Sequence, residues 1–181
     1  MLLLTFALAL APSPPQDALP RRHQRTQLAG MGVLSGYAVA NIGWGVASRL
    51  RTDGVTRYVH EMNAAWNGIN LTLGVVGLVR NRRPPAAEEA LRVHHRTRTV
   101  FAINAGLDVL YIAAGSAMWS SAQTAGAQRD RVEGYGRSIV LQGAFLFAFD
   151  LAMLLAHDRA LEGRSVRPAL GLRSVGVSGR F

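Results

Sequence analysis

Four stretches of this chain are almost empty of charge, and clusters of arginine separate them. The cleanest runs are Gln27–Ser48, Asn63–Val79, Thr99–Ala122 and Ser138–Ala156. Each approaches the roughly 20 residues that a helix needs to cross about 30 Å of hydrocarbon. Every proline (12, 14, 15, 20, 84, 85 and 168) falls outside them. A soluble helix would set a charged face against an apolar stripe. Here the positions such a face would give to Glu, Lys or Arg hold Ala, Gly, Val and Leu. The pattern predicts an all-α membrane four-helix bundle, up-down-up-down, with spans over about 27–48, 60–80, 99–122 and 137–157.

The flanks divide the rest. Residues 1–26 read as an apolar leader, resembling a signal-peptide core, followed by a Pro/Arg-rich linker. The leader lacks a basic start, and Pro12 follows its Ala-Leu-Ala. Residues 158–181 carry Arg and Gly without apolar period and read as a disordered tail. In the middle loop, Ala86–Val93 reads as a short helix lying on the membrane.

All twenty basic residues are arginine, and the formal charge is +9. They flank apolar runs and no nucleic-acid-binding signature accompanies them, so they are read as topology signals and headgroup contacts. The N-terminal segment, middle loop and tail hold fourteen arginines against six in the other two loops. The positive-inside rule then puts both termini in the cytoplasm of a bacterial inner membrane. Trp44, Tyr58, Trp119 and Tyr135 gather at the opposite ends, as an interfacial belt would. There is no cysteine, which removes disulfides and thiolate metal sites. A shift of 75 residues aligns Trp44 with Trp119, Asn67 with Gln142 and Gly68 with Gly143, as two repeated helical hairpins would.

Chemistry is concentrated in polar residues inside the spans. Asp108 and Asp150 are the costliest, since a carboxylate at mid-membrane costs about 2.5–3.5 kcal/mol on insertion scales. Helix rise places both roughly 10–14 Å deep, with Asn70 and Tyr37 about 15 Å deep. A second layer at roughly 18–23 Å collects Asn41, Asn67, Tyr111 and Gln142. Asn63, Asn67 and Asn70 share one helix face, as do Asn104, Asp108 and Tyr111. Such faces must turn inward, because lipid offers no hydrogen bonds. Gly32, Gly36 and Ala40 suggest a seam for close helix packing. Asp150 and Gln142 lie about 80° apart around their helix, so they need not face one neighbour.

The histidines are read against a cofactor. His60 and His157 fall at opposite membrane faces and cannot clamp one haem. An alternative groups His94 and His95 with His157 in a metal site near the inner surface. The reading preferred is interfacial histidines near headgroups, with no metal residues assigned and the cofactor left unknown. Near the outer surface, Glu61 and Arg57 with Tyr135 and Arg137 suggest a polar rim.

The strings HEMNAAWNGINLTLG (60–74), NAGLDVLYIAAG (104–115) and GYGRSIVLQGAFLFAFD (134–150) resemble blocks of a bacterial family of small four-span membrane proteins of unknown function. The resemblance covers about residues 28–158 and implies the fold, with no activity to carry over. The functional expectation is a non-enzymatic membrane protein whose polar core binds a small ligand, proton or cation. It would act as a minimal transporter, a homodimer or a subunit of a larger membrane complex, with the lipid bilayer as its surroundings and no nucleic acid. The alternative is a structural or accessory protein whose polar residues only hold helices together. A haem- or metal-binding membrane enzyme ranks third.

Overall fold

The computed structural model describes residues 18–162, which form four long helices. These are α1 (Ala18–Arg49), α2 (Gly54–Arg80), α3 (Ala90–Ser121) and α4 (Arg129–Glu162). Two short 3-10 turns, Ala122–Thr124 and Gly126–Gln128, join α3 to α4. The chain therefore runs up and down twice. The start of α1, the α2–α3 connection and the end of α4 share one end, termed basal. The α1–α2 and α3–α4 connections lie at the other, termed apical.

The helices overrun the expected spans. α1 starts nine residues before Gln27 because Pro20 lies in its first turn, where a missing N–H costs nothing. Residues 18–26 are therefore helix and not linker; residues 1–17 lie outside the described part. The separate helix expected at Ala86–Val93 is absent. A turn covers 87–89, and Ala90 already opens α3. Residues 158–162, expected in a disordered tail, continue α4 to Glu162; the remainder of the tail is outside the described residues.

Burial is inverted relative to a soluble bundle. The largest fully buried side chains are His23, His94, His157, Gln142, Asn67 and Ser138, all polar. Large apolar side chains such as Val33, Ile69, Ile103, Leu110 and Leu141 are more than half exposed. Two helical segments, Ala90–Thr124 and Gly126–Leu161, are long and apolar enough to cross a membrane. α1 and α2 fall short of that standard. The asparagines of α2, and in α1 the glycines with Tyr37 and Asn41, dilute their apolar content.

Packing is strongest within the sequential pairs α1–α2 and α3–α4, and α2 joins α4 to unite the two hairpins. The backbones of α2 and α3 do not approach one another. Small residues allow the close contacts, but not the ones expected. Gly32 and Gly36 face open space, and Ala40 is exposed, so that seam does not exist. One of the tightest crossings is α3 on α4. A Cβ at Gly136 would lie 2.6 Å from the Trp119 backbone nitrogen and 2.8 Å from the Gly115 carbonyl oxygen. The 75-residue repeat holds for Trp44 and Trp119, both exposed near the apical end, and for Asn67 and Gln142, both buried. It fails at Gly68, which meets nothing, whereas Gly143 packs against Asp108 and Ile112.

Overpacking of this kind costs roughly 1–3 kcal/mol. Gly136→Ala is expected to lower the melting temperature of detergent-purified protein by several degrees, because the opposing atoms are backbone and cannot rotate away. Gly32→Ala is expected to leave it within error, and paired thermal melts of the two variants read the difference.

Candidate functional site

Two polar systems occupy the bundle interior, and the expected site residues divide between them. The first is a hydrogen-bonded ladder running through α1, α2 and α4. The Tyr37 hydroxyl donates to Gln142 Oε1 at 3.4 Å, and Gln142 Nε2 donates to Asn63 Oδ1. Asn63 Nδ2 in turn donates to Asn41 Oδ1 at 3.0 Å. Asn67 Nδ2 bonds the Asn63 carbonyl at 2.9 Å and Asn63 Oδ1 at 3.3 Å. Asn70 Nδ2 then reaches Asn67 Oδ1 at 3.3 Å. Asn63 Oδ1 thus has both lone pairs engaged, by Gln142 and Asn67. Asn41 closes its own account by donating to the Tyr37 carbonyl at 2.9 Å. Tyr37 is held flat against Phe145, with ring centroids 3.5 Å apart.

The second system is a cleft of about 700 Å³ between α2 and α3. It exists because those two helices stay apart while α1 and α4 close its back. Asn70, Asn104, Asp108, Tyr111 and Asp150 all line it. Their i, i+4, i+7 spacing on α3 is what turns Asn104, Asp108 and Tyr111 into one wall. Asp108 and Asp150 meet across the α3–α4 contact, within hydrogen-bonding reach of each other. Two carboxyls bond one another only through a shared proton. Among the described residues, no other donor reaches Asp108 Oδ2. The 80° offset on α4 resolves into two partners: Asp150 turns to α3 and Gln142 to α2. Trp66 and Tyr111 meet edge to face at 5.1 Å and bridge α2 and α3 toward the apical end of the cleft. Arg80 and Arg96 stand at its basal end.

Tyr37 and Asn70 therefore do not form one layer with the aspartates, as depth alone suggested. Tyr37 belongs to the ladder, and Asn70 touches both systems. Tyr111 is in the cleft rather than in the Asn41–Asn67–Gln142 layer. Depth along a helix cannot give rotation about it, and rotation made the division.

A third feature was missed. His23 from α1, His94 from α3 and His157 from α4 come together at the basal end, all essentially without solvent exposure. Ring centroids are 5.1 Å apart for His23 and His157, 5.7 Å for His23 and His94, and 5.2 Å for His94 and His157. The expected group of His94, His95 and His157 is corrected at one position, because His95 is exposed and His23 takes its place. His94 and His157 are enclosed by the bundle and do not turn outward. Burial, and then the neighbouring His94, push the His23 pKa down from 6.5 to about 4. His23 escaped notice because residues 21–26 were read as linker. The signal available was the spacing of His23 and Gln27, one turn apart at a helix start.

At the apical rim, Glu61 accepts from Tyr135 and pairs with Arg49 at 2.8 Å. Arg49 replaces the expected Arg57. Arg137 bonds Glu133 instead, and its guanidinium lies 4.9 Å from the centre of the Trp119 ring.

The ladder predicts a modest and local cost. Interhelical hydrogen bonds in membranes average about 0.6 kcal/mol and reach about 1.7 kcal/mol. Asn63→Ala, which removes the hub, is expected to exceed Asn41→Ala in lost stability, as measured by thermal or denaturant unfolding in micelles. A pH effect follows from His23. Its folded pKa lies below its unfolded value, so the unfolded chain binds more protons between about pH 6.5 and 4. Stability from this group is full above about pH 6.5 and falls as pH drops toward 4. Melting curves at stepped pH with chelator present, against His23→Asn, should show a flatter profile for the variant.

No curated protein and no solved structure matches the chain. The ladder and the carboxyl pair lie wholly within residues 33–151, and His94 also does, while His23 and His157 fall outside. That segment matches a family described as a family of unknown function (DUF6992), and the chain belongs to it.

Proposed function

We propose that this is a membrane-embedded, non-enzymatic binding protein whose α2–α3 cleft takes one small ligand from the bilayer. The observation that carries this reading is the pair of facing carboxyls at a cleft of about 700 Å³. Small-molecule sites are commonly about 300–1,000 Å³, mostly apolar, with few polar groups to fix orientation. Phe101, Phe149, Leu146 and Trp66 supply the apolar wall here. A carboxyl pair holding one proton both donates and accepts, so it suits a hydroxyl or amine on an otherwise apolar molecule. Exchange of that proton for a cationic ligand is the route by which a minimal transporter would use the same residues.

Embedding of all four helices rests on the inverted burial: apolar side chains outside, amides and imidazoles inside. The arginine distribution supports an inner-membrane orientation with the basal end, and both termini, in the cytoplasm. For the ladder the structural reading is preferred. Its amides satisfy one another and leave no open face toward the cleft except at Asn70.

Native mass spectrometry of protein extracted into lipid nanodiscs tests the proposal. The wild type is expected to carry a small-molecule adduct. Leu146→Trp, which fills the cleft, and Asp108→Asn with Asp150→Asn should lower its occupancy about tenfold, equivalent to about 1.4 kcal/mol. A bare wild type, or an adduct indifferent to all three substitutions, overturns the reading. Lost stability of the aspartate variants without any change in adduct favours helix association as their only role.

A further inference from the structure

The three buried histidines are not needed to close the bundle, and as packing they are poor. His23 Nδ1, both nitrogens of His94, and His157 Nδ1 are buried without a hydrogen-bond partner. A buried polar atom left unpaired costs about 1–3 kcal/mol, and leucine or phenylalanine would fill the same space without that cost. Three rings on three helices, each with an unpartnered nitrogen, come together at one place.

We propose that His23, His94 and His157 bind a divalent first-row transition metal ion, of the borderline class to which Zn(II) belongs, one per chain. One ring nitrogen from each lies within 4.8 Å of the others. Metal–nitrogen bonds of about 2.0–2.1 Å need ligand nitrogens about 3.3–3.5 Å apart. Small ring rotations would close that gap. Neutral imidazole suits Zn, Cu, Ni and Fe, whereas calcium and magnesium require oxygen.

The surroundings fit a ligand set. Gln27 lies one helical turn from His23, and its amide is 3.2 Å from His157 Nε2. Amide oxygen and nitrogen exchange places on a half-turn. With the oxygen toward the ring, Gln27 accepts Nε2–H and leaves the His157 Nδ1 lone pair free for the ion. That outer contact is how metal-bound histidines are usually oriented. Phe101 stacks on His157 at 5.9 Å and closes the apolar side. Beside the cluster, Asp158 pairs with Arg98 at 2.5 Å, so that one cation is balanced. Three histidines leave a fourth coordination position. His23 also lines the cleft, which gives that position a direction.

The site is independent of the carboxyl pair, and the test keeps them apart. Full-length protein purified without a histidine tag and stripped by chelator is titrated with Zn(II) by calorimetry and with Co(II) by absorption. The expected result is one ion per chain, with the intense visible bands of four-coordinate Co(II) and a rise in melting temperature on loading. His94→Phe and His157→Phe keep a ring in place and should abolish the bands while circular dichroism stays helical. Gln27→Leu should weaken binding by about 10–100-fold, as loss of an outer partner does. Asp108→Asn and Asp150→Asn should bind the ion as wild type does, whatever becomes of the cleft ligand. The assignment is overturned if folded wild-type protein gives neither heat nor bands. It is equally overturned if binding survives in both phenylalanine variants or is lost in the aspartate variants. Should the substituted chains fail to fold, the wild-type titration alone decides.

Discussion

Gln142 is the residue on which the rest of the bundle turns. Most polar contacts in this chain stay within one helical hairpin: Asn63 to Asn41, Asn67 to Asn63, Asp108 to Asp150. Among the described residues, Gln142 alone bonds both helices of the first hairpin from the second, through Tyr37 and Asn63. Its amide needs one donor and one acceptor at fixed positions, so it sets both the depth and the rotation of α4 against α1 and α2. Asp150 lies eight residues further along the same helix. Once Gln142 faces α2, helix geometry turns Asp150 toward α3. The carboxyl pair and the cleft beside it therefore follow from an amide contact two turns away.

Inversion of the usual burial explains why these contacts carry so much. Among soluble bundles an apolar core holds helices together without direction. Here apolar side chains cover the outside; in the proposed membrane setting lipid is as apolar as they are, so they supply little preference for one helix neighbour over another. Specificity passes to the amides and to close backbone crossings such as Gly115 with Gly136. Met31, Phe101 and Met153 form the small apolar core that does exist, between the histidines and the carboxyls. It separates two sites of different chemistry along one bundle.

Helix number, order and topology were readable from charge spacing, because a membrane-length apolar run leaves few alternatives. The polar faces on α2 and α3 were readable too, since Asn63, Asn67 and Asn70, like Asn104, Asp108 and Tyr111, repeat at helical spacing. What failed was rotation and extent. Depth put Tyr37 beside the aspartates, yet its ring turns to Phe145 and Gln142. Gly32, Gly36 and Ala40 have the spacing of a packing seam, but a small residue is equally acceptable on an outer face, and that is where they lie. The histidine cluster was lost to a boundary. Hydropathy stops α1 at Gln27 because arginines precede it, while the helix itself continues through Pro20 to Ala18, carrying His23 inward.

The gap between α2 and α3 has a mechanical meaning. Since the hairpins are joined chiefly where α2 meets α4, that contact is the axis about which one hairpin can pivot on the other. Neighbouring helices lie about 8–10 Å apart, so a pivot of about 10° displaces α3 relative to α2 by about 1.5 Å. Width of the cleft thus depends on that angle as well as on Trp66 and Tyr111, which meet across it. His94 and Asp108 ride on the same hairpin as His157 and Asp150, whereas His23 rides on the other. A pivot would leave the carboxyl pair intact while changing the distance from His23 to its two partners, making the histidine end the gauge of how far the cleft stands open.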